Sequence, residues 1–122
     1  MTKKILVTGS REFSDVEMIR EALIAEVPEG ENVIVIHGAA RGADSIADAL
    51  SLDSPIATTV RVPADWKNRP RWDAGPIRNG HMLDLGPDVV LAFFKVGAKN
   101  SGTQDCVNQA LSRQIPVKVF RA

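Results

Sequence analysis

Five short apolar runs, each followed by a segment of different periodicity, constrain this chain more than any other feature. The runs are KILVTG (Lys4–Gly9), VIVIH (Val33–His37), ATTVRVP (Ala57–Pro63), DVVLAFF (Asp88–Phe94) and IPVKVF (Ile115–Phe120). Each is short, rich in β-branched or aromatic residues and bounded by turn residues, as a buried strand is. The segments between them repeat at helical spacing. In SDVEMIREALIAEV, Val16, Ile19, Leu23 and Val27 recur on one face, Ser14 or Asp15 stands at the cap, and Glu17 sits in the first turn. ADSIADALSL puts Ile46, Ala49 and Leu50 on one face; IRNGHMLDL, which ends at Gly86-Pro87, and TQDCVNQALSRQ supply two more helices. ADWKNRPRWDAGP has no clean period and is expected to be a long loop.

Strands that alternate with helices require a parallel sheet covered on both faces. The expectation is therefore an α/β fold: one three-layer domain over residues 1–122 with a mostly parallel five-stranded sheet. No repeat, low-complexity stretch or linker divides the chain. In such sheets, ligands bind beyond the carboxyl ends of the strands, near the point where strand order reverses. Three strand ends carry unusual loops, TGSR, HGAARGADS and FKVGAKNSGT, and all three should open on that edge.

Each loop suits an anion. In HGAARGAD, Gly38 and Gly42 remove the Cβ that would keep a ligand from the backbone, Arg41 adds a cationic fork, and a helix N-terminus follows. The pattern is neither a Walker loop nor a full G-x-G-x-x-G. In TGSR, Gly9 turns the chain and Ser10 and Arg11 can meet an anion or a ribose. Ser101, Gly102 and Thr103 open a helix, where their hydroxyls either cap it or meet phosphate. Trp66, among Lys67, Arg69 and Arg71, can stack on a base; Trp72 is a lesser candidate. Arg78 and Asn79 follow Gly75-Pro76, well placed for a guanidinium aimed into the pocket. Asp44 is read as the helix cap and as a holder of a ribose hydroxyl.

Composition removes other classes. Fifteen Lys and Arg balance fifteen Asp and Glu, so no whole-surface grip on nucleic acid is expected, although a local basic pocket remains open. No apolar run approaches the roughly 20 residues that span a bilayer, and no signal segment is evident, so a cytoplasmic protein of a bacterium or phage with no membrane partner is expected. The single cysteine, Cys106, forms no intrachain disulfide and reads as a buried structural thiol. His37 and His81 lack a carboxylate or cysteine set, so no metal site is expected; His37 is read as bonded to backbone.

TGSREFSD, VIHGAARGADSIA, PADWKNRP with AGPIRNGHML, and SGTQDCVNQALSRQIPV together resemble the YspA-related branch of the SLOG superfamily. These are Rossmann-like domains related to the Lonely Guy phosphoribohydrolases and to DNA-processing protein A. The resemblance implies a nucleotide or nucleotide-derived ligand at the strand ends, no required cofactor, and a homodimer or larger homo-oligomer. Carried over by position, the glycine-rich loop is Gly38, Arg41, Gly42 and Asp44; the helix start is Arg78 and Asn79; the phosphate loop is Ser101, Gly102 and Thr103.

One departure matters. Lonely Guy enzymes carry Pro-Gly-Gly-x-Gly-Thr-x-x-Glu, whose glutamate serves N-glycosidic hydrolysis. Here GAKNSGTQDC keeps Gly102-Thr103, lacks the Pro-Gly-Gly and has Cys106 at the glutamate's place. Asp105 stands one residue early, a turn of about 100° on a helix. Asp44 and Asp105 are thus the only catalytic candidates. The leading expectation is ligand binding. The alternative is a phosphoribohydrolase acting on a nucleoside monophosphate, and a DNA-binding module comes third.

Overall fold

A computed structural model describes residues 2–122. The elements alternate without exception: β1 Lys3–Gly9, α1 Val16–Glu26, β2 Val33–His37, α2 Ala43–Leu52, β3 Ala57–Arg61, α3 Arg71–Asp84, β4 Val89–Phe94, α4 Ser101–Ser112 and β5 Val117–Arg121. The five strands form one sheet in the order β3-β2-β1-β4-β5, and every pairing is parallel. The fold is a Rossmann-like α/β domain.

Alternate residues of β1 feed different layers. Ile5 and Val7 join Ile19, Leu23 and Ala47 on the face covered by α1 and α2. Leu6 joins Met82, Leu83, Cys106 and Ala110 on the face covered by α3 and α4. A strand buried on both sides has no polar alternation to show, which is why β1, β2 and β4 read as near-continuous apolar stretches, whereas the edge strands β3 and β5 keep exposed polar residues.

The strand order fixes where a site forms. From β1 the chain steps outward to β2 and β3, then crosses back to β4 on the other side of β1. The connections leaving β1 and β4 therefore diverge onto opposite faces, and a crevice opens between their carboxyl ends. Ser10 extends the ladder there, its N–H donating to the Phe93 carbonyl (2.9 Å).

The structure corrects several expectations. Helix α3 begins at Arg71, inside the segment expected to be a loop, with Pro70 as its N-cap and Pro76 within it. Pro70 precedes the first helical residue and costs α3 no bond, whereas Pro76 gives up the intrahelical bond that an N–H there would make to the Trp72 carbonyl. Helix α2 buries Ala43, Asp44, Ala47 and Ser51 rather than Ala49, which is exposed. Small residues bring α2 close: a Cβ at Gly9 would lie 2.4 Å from Ala43 Cβ. Strand β3 stops at Arg61, and β5 starts at Val117 because the Ile115 N–H is taken by the Ala110 carbonyl (3.0 Å). Asp15 rather than Ser14 caps α1, accepting from the Met18 N–H (3.1 Å).

Candidate functional site

A cleft of about 560 Å³ occupies the crevice. Of the thirteen residues expected to contact a ligand, Gly9, Ser10, Arg11, Arg41, Asp44, Trp66, Arg78, Asn79, Ser101, Gly102 and Thr103 line it; Gly38 and Gly42 do not. Asp105 and Trp72 line it too, together with Lys99 and Asn100, which the sequence reading passed over. Lys99 was legible in principle, as a cation just before a helix N-terminus.

The two glycines outside the cleft make room for other parts of the protein. A Cβ at Gly42 (φ +79°) would lie 2.4 Å from the Ser10 carbonyl oxygen, so this glycine lets the 38–42 loop pack against the end of β1. A Cβ at Gly38 would lie 2.3 Å from Arg78 Nη1. The Gly38 carbonyl instead accepts from that nitrogen at 2.6 Å.

The amides of this loop face inward. The Gly38 and Ala40 N–H groups donate to Asp44 Oδ2 (2.9 and 3.4 Å). The Ala39 N–H donates to His37 Nδ1 (3.0 Å), and Ala39 holds a left-handed φ of +56°. Three successive N–H groups that a phosphate loop would offer to a ligand are thus taken by side chains. Asp44 does not cap α2: Gly42 is the cap residue, and no side chain accepts from the N–H groups of that terminus. Asp44 Oδ1 is buried without a hydrogen-bond partner among the described residues. Burial pushes the Asp44 carboxyl above its usual value, against the opposing charge of Arg78 and the two N–H donors.

Donors converge from the other side. Arg78 spends Nη1 on Gly38 and Nε on Asn79 Oδ1 (3.0 Å), which fixes the guanidinium plane and leaves Nη2 to the cleft. Burial lowers its pKa, with the Asp44 charge opposing, but a guanidinium so perturbed stays charged at neutral pH. Asn79, 2% exposed, gives its amide N–H₂ to the Gly102 carbonyl (3.2 Å) and Asp105 Oδ2 (3.0 Å). It braces α3 against α4 and positions Arg78. Helix α4 starts at Ser101 after Asn100, and no side chain caps it. Asn100 instead ties its own loop, accepting from the Lys95 N–H (3.1 Å) and donating to the Lys95 and Ala98 carbonyls (3.0 Å each). The free N–H groups and dipole of α4 face the cleft. Arg11 lies over the Trp66 ring at 5.4 Å, a cation–π contact on the rim.

Of the two neighbours on α4, Asp105 lines the cleft, while Cys106 is fully buried in the sheet-facing core. Asp105 Oδ2 accepts from Asn79 and from Gln109 Nε2 (2.8 Å). Burial pushes the Cys106 thiol up to about 12, which leaves no thiolate at neutral pH. Among the described residues no group of three His, Cys, Asp or Glu could hold a metal ion, and no helix is long and apolar enough to cross a membrane.

The fold and the strand-end cleft define a Rossmann-like domain with its polar residues gathered at the sheet's switch point. Comparison with known proteins makes this specific: the chain belongs to the YspA, cpYpsA-related SLOG family, whose model matches residues 3–68. That match spans β1 to the Trp66 loop; the α3 and α4 wall of the cleft lies outside it. Gene 61 protein of Mycobacterium phage D29 is 36% identical over 123 residues, covering 97% of this chain and 96% of that protein. The solved DNA processing protein A of Helicobacter pylori, described for its single-stranded DNA binding mode, shares the fold at a TM-score of 0.62 and 16% identity. The alignment covers 96% of this chain but 64% of that one, so this chain spans less than two thirds of that neighbour.

Proposed function

We propose that the chain binds a small nucleotide or nucleotide-derived anion in this cleft. One observation carries the reading: Arg11, Arg41, Arg78 and Lys99 converge with the uncapped N-terminus of α4 on one crevice at the sheet's switch point. Those donors suit phosphate, and the half-exposed Trp66 offers a face to a base. Asp44, Asp105 and Glu12 share the same walls, so the cleft is not uniformly positive. Mixed charge suits a compact ligand that carries both an anion and hydrogen-bond donors better than it suits a polyanionic backbone.

The phosphoribohydrolase alternative has less support. Cys106 stands at the glutamate's place and faces away from the cleft, and Asp105 is bonded to Asn79 and Gln109. Single-stranded DNA is a second reading, favoured by one observation: Trp66 and the more exposed Trp72 both stand on the rim of the cleft among cations.

The test is a panel of AMP, ADP-ribose, NAD and cyclic dinucleotides, read by melting temperature and by analysis of the same samples for free base. A ligand that raises the melting temperature and is recovered intact supports the proposal. Release of free base moves the function to hydrolysis. Salt-dependent binding of an oligonucleotide, with no response to any nucleotide, moves it to DNA.

A further inference from the structure

His37 is the last residue of β2 and is 1% exposed. Both ring nitrogens are engaged, and their partners fix the tautomer. The Ala39 N–H can only donate, so Nδ1 (3.0 Å away) carries no proton. The proton therefore sits on Nε2, which donates to Asp48 Oδ1 at 2.7 Å. Asp48 is held in turn by Arg61, whose Nε and Nη2 reach its two oxygens at 2.7 and 3.2 Å.

What the ring holds is the turn that holds Arg78. His37 takes the Ala39 N–H on one side, and Asp44 takes the Gly38 and Ala40 N–H groups. With the amides drawn towards α2, the Gly38 carbonyl points the other way, to Arg78 on α3. Ala39 keeps a left-handed φ, a conformation that costs a non-glycine residue about 1–2 kcal/mol and persists only where its surroundings enforce it. The hydrogen bond to His37 Nδ1 is the visible restraint.

We infer that His37 is a positioning residue for the cleft, and that its neutral form holds the 38–40 turn, and through it Arg78, while protonation lets that turn go. An imidazolium has a proton on each nitrogen, so Nδ1–H would oppose the Ala39 N–H and the bond would become a repulsion. The groups facing the ring divide in sign. Asp44 and Asp48 are the carboxylates on α2, and Arg61 on β3 and Arg78 on α3 beyond the Gly38 carbonyl are the cations. Asp48 already has the proton it needs from Nε2, so protonating Nδ1 gives up a bond without making one. Acidification should then loosen the Arg78 guanidinium and weaken an anion bound beside it. This last consequence rests on the nucleotide reading above; the positioning of Arg78 does not.

The experiment follows the Ala39 amide and the Arg78 Nε–H by NMR from about pH 8 to about pH 5.5, where a histidine titrates. It compares the intact chain with His37→Asn and His37→Gln. An asparagine Oδ1 takes the place of Nδ1 as acceptor but gains no proton; a glutamine reaches the Nε2 end and leaves the Ala39 N–H unbonded. In the unsubstituted chain both signals should shift together with the His37 ring protons. His37→Asn should hold them constant, and His37→Gln should show the acid-like positions at every pH. AMP affinity, measured in parallel, should fall on acidification about fivefold more in the unsubstituted chain than in His37→Asn, the lower end of coupling between linked sites. The titration of AMP itself is common to both proteins and cancels. Signals that stay fixed while His37 titrates, or an imidazole that never titrates in this range, overturn the inference. Should AMP bind neither protein while the signals still move together, the positioning role stands and the nucleotide reading falls.

Discussion

Arg78 Nη1 donates to the Gly38 carbonyl at 2.6 Å, and a Cβ on residue 38 would lie 2.3 Å from the same nitrogen. A side chain at residue 38 and the guanidinium cannot share that space. Gly38→Ala should expel Arg78 from its seat, cost about 1–3 kcal/mol through the lost bonds to the Gly38 carbonyl and Asn79, and weaken nucleotide binding at the same time. Urea unfolding and titration with AMP read the two effects. A variant as stable as the parent, with Arg78 Nε–H unshifted by NMR, would show that the contact is not needed.

Arg41 and Arg78 contribute to the cleft differently. Arg41 is exposed, whereas Arg78 is half-buried and bonded to Gly38 and Asn79. Alanine at either position should weaken nucleotide binding about tenfold or more, or about 1.4 kcal/mol. Only Arg78→Ala should also lower the melting temperature, because it leaves a buried carbonyl and amide without a partner. Unchanged affinity in both variants removes the proposed phosphate site.

Gly42 and Gly97 share a positive φ, at +79° and +84°, but a Cβ meets the Ser10 and Arg11 backbone at Gly42 and open space at Gly97. Alanine at Gly97 should cost only the conformational strain, about 1–2 kcal/mol. Alanine at Gly42 should exceed that by about 1–3 kcal/mol, since the atoms struck are main chain and cannot swing aside. Equal losses in chemical denaturation would mean that the loop accommodates the methyl group.

Cys106 should be inert. Burial raises its thiol to about 12, so iodoacetamide at neutral pH should modify it only as fast as the chain unfolds. Cys106→Ser should leave nucleotide affinity within about twofold, because the residue faces the sheet. Rapid alkylation of the folded protein, or a large loss of affinity in the serine variant, would place the thiol in the site.

Glu26 is buried between Lys118 and Lys3. Burial raises its pKa, but hydrogen bonds from the two ammonium groups outweigh this and hold it below the usual 4.5. A carboxyl depressed in the folded state stabilises fully above its unfolded value, and the contribution fades as the pH falls through the lower folded one. Urea midpoints should therefore drop on acidification below 4.5, and Glu26→Gln should flatten that decline while lowering stability at neutral pH. A parallel decline in both proteins would assign the acid sensitivity elsewhere.

Much of this molecule was written in its sequence. The alternation of apolar runs with helical segments dictated a parallel sheet, because a strand buried on both faces and a helix with one apolar stripe can cover each other in few other ways. From that followed the edge on which TGSR, HGAARGADS and FKVGAKNSGT meet, and eleven of thirteen expected residues do line one cleft there. The start of α3 was hidden because Pro70 and Pro76 read as breakers, although Pro70 stands just before the helix and Pro76 removes only one of its bonds.

The roles within the cleft were decided only by tertiary structure. HGAARGAD looks like backbone bared for a ligand, yet its amides turn to His37 and Asp44 and its glycines make room for Arg78 and the end of β1. Asp105 and Cys106 are adjacent in the chain, but the packing of α4 on the sheet gives the cleft to the first and the core to the second. The physical reason is the same in each case. Periodicity is local and reports which face of an element is apolar. A hydrogen bond such as Arg78 to Gly38 joins groups forty residues apart, and whether an amide serves a ligand or the protein depends on which partner the fold brings within 3 Å of it.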